Sequence, residues 1–151
     1  MNRTRGIVLH KHPAWAITRI EQALGLMFRK PHDECLVLLF MPQRKEVPHM
    51  WFVFAPIDIL VLDGGGKVVA LKERLLPWRT WNPRVAASAI VELPAGTIAR
   101  TSTRIGDAVA LPQPVRSAFW RWHHHLLFWT VQIGLSLALA AIIILLVTIL
   151  E

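Results

Sequence analysis
The chain has 151 residues, 54% of them hydrophobic, and a formal net charge of +7, enough for one domain with a real core and a separate apolar segment but not for two comfortable domains. A single cysteine, Cys35, excludes an internal disulfide and fits a reducing compartment. The basic residues are scattered, with no recognition helix, aromatic ribonucleoprotein motif or Lys/Arg block among them, so the positive charge suits an anionic membrane surface and nucleic acid is not an expected partner.

In chain order, residues 1–5 read as a loose polar end and residues 6–10 as a short strand that stops before Pro13. Thr18 and Glu21 have the Thr-x-x-Glu spacing of a capping box, in which hydroxyl and carboxylate each satisfy a free backbone N–H. With Ile17 stapling the entry and Ile20, Leu24 and Met27 at helical spacing, this predicts a short helix from Arg19 to about Leu26, with Gly25 available to end it. The apolar run 35–41 has the length of a buried strand ending at Pro42. Residues 50–54 and 57–62 are two more strand-like runs, divided by Ala55 and Pro56. Asp63-Gly64-Gly65-Gly66 then supplies the turn of a hairpin into residues 67–72. Residues 76–83, with two prolines and two tryptophans, read as a loop; residues 88–93 and 107–111 are the last expected strands. The expected fold class is mainly β (α+β): a compact antiparallel domain with one short helix over residues 1–112.

Residues 113–125 read as a juxtamembrane linker or helix, and residues 126–150 contain no charged side chain. At ~1.5 Å per residue that run exceeds the ~30 Å hydrocarbon core of a bilayer, which predicts a single transmembrane helix. Phe119, Trp120, Trp122 and Trp129 stand where the headgroups would be. Arg116 and Arg121 precede the span and no basic residue follows it, so the positive-inside rule places the N-terminal domain in the cytoplasm and the C-terminus on the far side. Ile7, Val8 and Leu9 meet His10, Lys11 and His12 at once, too soon for the apolar core of an export signal. Gly134, Ala138 and Ala141 share one helical stripe, flanked by Gln132 and Ser136, which suits contact with another transmembrane helix as well as with lipid. Adjacent His123, His124 and His125 point about 100° apart on a helix and do not close a metal site by themselves. Gly64 to Gly66 lacks the spacing of a phosphate loop, and no metal or cofactor is expected.

Four pieces, in this order, resemble the domain-of-unknown-function 192 family: Gly25-Leu26-Met27-Phe28-Arg29; Pro56-Ile57-Asp58-Ile59-Leu60-Val61-Leu62-Asp63 with Gly66, Val68 and Val69; Val91-Glu92-Leu93-Pro94-Ala95-Gly96; and Ile105-Gly106-Asp107. The resemblance spans roughly residues 14 to 111. It implies a compact, mainly antiparallel β domain with a small helix, and no established activity. Many members are exported behind an N-terminal signal, a feature not seen here, and many carry Lys-Asn-Thr where Trp51, Phe52 and Val53 follow Met50.

Arg29, Asp58, Glu92 and Asp107 lie at or beside these motifs and are candidate ligand-binding residues, the carboxylates accepting from a polyol and Arg29 gripping an anion. The competing reading makes them structural: an Arg–carboxylate pair between Arg29 and Asp58, and turn acids at Asp107 and Asp63. No nucleophile stands beside a recognisable base, so catalysis is not expected. The leading expectation is a non-enzymatic, membrane-anchored interaction module, an accessory subunit of a larger membrane assembly, for which a loaded transmembrane helix face and exposed tryptophans are the signature. The alternative is a membrane-tethered domain binding a sugar-like or anionic small molecule, whose signature is a concave site with converging polar groups.

Overall fold
In the computed structural model, which describes residues 1–29 and 33–112, the chain forms β1 (Ala14–Ala16), α1 (Arg19–Leu24), β2 (Leu36–Lys45), β3 (Ile57–Leu62), β4 (Val68–Leu75), β5 (Ala86–Pro94) and α2 (Thr97–Thr101). The strands make one sheet in the order β1-β2-β5-β3-β4. Its pairings are antiparallel except β1 on β2, which is parallel. The mainly β architecture with a short α1 is the one the sequence predicts; α2 is an addition.

Side chains alternate across a strand, so the register sorts them into two faces. Val37 pairs with Val91 and Leu60 with Val91, and on that face a core gathers Leu9, Trp15, Cys35, Leu62, Val68, Leu93, Ile98 and Val109. The opposite face carries Leu36 and Ile59, both paired with Glu92, and Leu38 and Val61, both paired with Ile90. Because both faces are covered, all six residues of β3 are buried, which explains its nearly unbroken apolar run.

The capping box forms as its spacing predicts. Glu21 N–H donates to Thr18 Oγ1 at 3.3 Å, and Glu21 Oε2 accepts from the backbone N–H groups of Thr18 and Ile17, each at 2.8 Å. The buried residue of α1 is therefore Glu21, while Ile20 is 65% exposed; capping, not the apolar stripe, organises this short helix. Gly66 completes the β3–β4 turn at φ +77°, where a Cβ would lie 2.7 Å from the Val109 carbonyl oxygen. Asp63 Oδ1 accepts from Gly65 and Lys67 N–H, each at 2.9 Å.

Several expectations change. Residues 1–5 are not loose: Asn2 is fully buried and its amide donates to Asp107 Oδ2 at 2.9 Å and Thr103 Oγ1 at 3.1 Å. Residues 6–10 and 107–111 form isolated bridges, not strands, with Asn2 bridging both Ile7 and Val109. β2 continues past Pro42 to Lys45, because its ladder with β5 shifts register between Leu39 and Arg44 and asks no N–H of the proline. Residues 50–54 are a looped turn in which Met50 and Val53 point inward. No helix among the described residues is long and apolar enough to cross a membrane. The expected juxtamembrane segment 113–125 and span 126–150, with Gln132, Gly134, Ser136, Ala138 and Ala141, lie outside the described residues.

Candidate functional site
Strand alternation separates the predicted site residues. Glu92 pairs with Ile59 and Leu36 and shares their face, whereas Asp58 pairs with Leu93 and points to the other side of the sheet. Asp58 is fully buried, its Oδ1 accepting from Arg74 N–H at 2.9 Å and its Oδ2 from Ile98 N–H at 2.8 Å. It thus pins the end of β4 and caps the first turn of α2, where Gly96 brings no side chain of its own. Asp107 Oδ2 accepts from Asn2 Nδ2, Arg5 Nε and Arg104 N–H. Those donors, Asn2 first, hold the Asp107 carboxyl at about 2. The expected Arg29–Asp58 pair does not form: Arg29 Nη1 donates instead to Glu34 Oε2 at 3.0 Å. The four residues therefore do not converge, because period-two alternation splits them between faces and local N–H groups claim Asp58 and Asp107.

Glu92 stands apart. It is 6% exposed, on the central strand β5, and its Oε2 is buried with no hydrogen-bond partner among the described residues. Burial pushes its carboxyl up to about 7, against the opposing pull of the Arg29 charge. It lines a cavity of about 240 Å³ between α1 and the sheet, walled by Leu38, Phe40 and Ile90 below and by Gly25, Leu26, Met27, His49 and Val53 at the sides. His49 Nδ1 is likewise buried without a partner. Arg44, also on the wall, is already committed: it pairs with Glu46, donates to Gln22 Oε1 at 2.8 Å and lies 4.6 Å above the Phe40 ring. His49 was not singled out by its sequence, and only its position between Pro48 and Met50 at the base of an aromatic run marks it.

The cavity's described polar lining can bind a ligand, and Glu92 can exchange a proton. Among the described residues no Ser, Thr, Cys or Lys lines the cavity, and the buried Cys35 thiol on the other face is pushed up to about 12 by desolvation, too high to supply a thiolate. Among the described residues no group of three or more His, Cys, Asp or Glu is placed to hold a metal.

The loops over residues 25–29 and 47–54 that wall the cavity turn aromatic rings outward, and Trp78 from the segment after β4 joins them. Phe28 stacks on Phe52 at 5.0 Å, and Trp78 meets Phe52 at 5.3 Å, Trp51 at 6.0 Å and Phe54 at 6.4 Å. All five rings are exposed, Phe54 by 62%. Phe28, Phe52 and Trp78 hold φ of +60°, +57° and +62°, values that bulky residues seldom adopt. Main-chain bonds keep them there, Phe28 N–H to Phe52 O at 2.8 Å and Trp78 N–H to Met50 O at 3.0 Å. Trp51 and Phe52 stand where the family resemblance leads one to expect polar residues, and here they join the exposed aromatic cluster.

Comparison with known proteins agrees with this architecture. A UPF0127 protein of Thermococcus sibiricus is 31% identical over 129 residues, covering 78% of this chain and 82% of that protein. A UPF0127 protein of Pyrococcus furiosus is 35% identical over 108 residues, covering 71% of this chain and 92% of its own. The crystal structure of a protein of unknown function from Novosphingobium aromaticivorans superposes with a TM-score of 0.60 at 27% identity, over 64% of this chain and 72% of that one. Residues 9–111 match the DUF192 model, described as an uncharacterised ACR, and the chain belongs to that family.

Proposed function
We propose that this protein is a non-enzymatic interaction module held at a membrane, an accessory subunit of a larger membrane assembly. The observation that carries this reading is the cluster of Phe28, Trp51, Phe52, Phe54 and Trp78, five exposed rings in mutual contact. A contiguous apolar patch of this kind marks a contact surface. Three of the rings sit on backbone whose strain costs of order 1–3 kcal/mol each, which a domain with no use for them would shed. Their occupant is the headgroup layer of an anionic bilayer: Trp favours that layer, Phe adds apolar surface facing the acyl boundary, and exposed Arg74 and Arg79 flank Trp78 in the chain to meet its charge. In the sequence, residues 126–150 have the length and the uncharged composition of a membrane span, which would tether the chain to a bilayer. Arg116 and Arg121 keep the domain on the cytoplasmic side.

The test uses the full chain reconstituted in anionic vesicles made with lipids brominated high on the acyl chain. Trp51→Phe with Trp78→Phe preserves the apolar surface but removes two fluorophores, so the difference from native reports those two rings. Expected is strong quenching of the difference signal by brominated lipid and weak quenching by aqueous iodide. Quenching by iodide alone refutes both the lipid contact and the interaction module; protection from both refutes the lipid contact and leaves a protein subunit as the occupant.

A further inference from the structure
We infer that the cavity between α1 and the sheet is a binding site for a small uncharged polyol, a monosaccharide or cyclitol, held by Glu92 and His49. Two independent features of the cavity point to a ligand. Glu92 presents a carboxylate oxygen, and His49 a ring nitrogen, that are buried and have no hydrogen-bond partner among the described residues, although both residues line the same space. Leaving such atoms unpaired is costly, so turning the Glu92 carboxyl and the His49 ring toward a bound hydroxyl that satisfies them favours the complex. The Gly25 backbone lies next to Glu92, a Cβ there standing at ordinary contact distance, 3.8 Å, from Glu92 Oε2.

The charges around the cavity select the ligand. Arg19 and Arg44 on the wall, with the Arg29 charge acting on Glu92, oppose a cation. Glu46 and Glu92 oppose an anion, and the guanidinium that would grip one, Arg44, is already held by Glu46, Gln22 and Phe40. A hydroxyl both donates and accepts, so it suits Glu92 whether that acid carries its proton or not, and His49 in either tautomer. At about 240 Å³ the space is smaller than the ~300–1,000 Å³ of drug-sized pockets and fits a compact molecule. The apolar floor of Leu38, Phe40 and Ile90 offers the C–H face of a sugar ring a surface to lie on. This site is separate from the lipid-facing aromatic cluster, and the two readings fail independently.

The experiment is a titration of the full chain, carried in lipid nanodiscs free of sugar-headed detergent and labelled with ¹³C at glutamate carboxyls. The probes are D-glucose, D-ribose and myo-inositol, with methylammonium as the cationic control. Expected is a saturable shift of the Glu92 resonance with at least one of the polyols, weakened about tenfold or more in His49→Leu. Glu92→Leu, followed by calorimetry because it lacks the reporter, should abolish binding while the fold persists. The proposal is overturned if no polyol gives a saturable shift, if Glu92→Leu binds as well as native, or if methylammonium binds more tightly than every polyol.

Discussion

Replacing Glu92 with Gln tests the central electrostatic claim about this fold. Burial raises the Glu92 carboxyl from its ordinary 4.5 to about 7 in the folded chain, so the folded state holds its proton more tightly than the unfolded one. Below pH ~4.5 the acid is neutral in both states and costs nothing. Between ~4.5 and ~7 the unfolded chain ionises first and native stability falls by about 1.4 kcal/mol per pH unit, levelling above pH ~7 at a loss of about 3 kcal/mol. Glu92→Gln keeps the neutral shape and has no proton to lose. The variant should therefore equal native protein near pH 4.5 and exceed it by about 3 kcal/mol at pH 8. Asp107, held at about 2, stays ionised throughout this window in both proteins and cancels from the comparison. Urea unfolding of each protein at half-unit steps from pH 4.5 to 8, with the midpoints converted at a common slope, gives the difference directly. A difference that does not change with pH, or that favours the native chain at pH 8, would show that Glu92 is solvated or paired, and the account of the cavity would be wrong.

Two further substitutions check the scaffold around the site. Gly66→Ala forces an L residue to φ +77° and puts its Cβ 2.7 Å from the Val109 carbonyl oxygen, whereas Gly106→Ala, at φ +97°, meets nothing closer than Lys67 Cε at 3.9 Å. Both should lose about 1–3 kcal/mol through backbone strain, with Gly66→Ala losing visibly more because of the clash, read as a lower denaturation midpoint; equal losses would mean that the turn is not packed against residues 107–109. Asp58→Ala strips the acceptor from two backbone N–H groups and should cost about 2–4 kcal/mol, and its effect should add to that of Arg29→Ala within about 0.5 kcal/mol, since Arg29 pairs with Glu34 and not with Asp58. A coupling above about 1 kcal/mol would restore the direct pair that the chain order suggests.

What could be read from the chain was whatever is decided by near neighbours. Thr18 and Glu21 form their capping box because both partners lie within one helical turn. The Asp63 turn closes because Gly66 alone tolerates its φ, and the run Ile57–Leu62 is a strand whatever stands beside it. The family motifs likewise survive as a sequence pattern. Partners far apart in the chain were decided only by folding. α2 has no capping residue of its own, its N–H being met by Asp58 from β3, so nothing within Thr97–Thr101 announces a helix. Asn2 reads as part of a loose end until Asp107 and Thr103 close over it. Residues 50–54 have strand composition, yet Met50 and Val53 anchor a loop while Trp51, Phe52 and Phe54 face outward, because bonds from Phe28 and Trp78 hold the backbone out of the sheet. Motif proximity also suggested that Arg29, Asp58, Glu92 and Asp107 might act together, but sheet register puts Asp58 and Glu92 on opposite faces and local donors claim Asp58 and Asp107. Composition and short-range spacing thus determined the kind of fold and its turns, whereas the buried carboxyl beside a cavity exists only because pairing β5 between β2 and β3 takes Glu92 out of water without supplying a partner for Oε2 among the described residues.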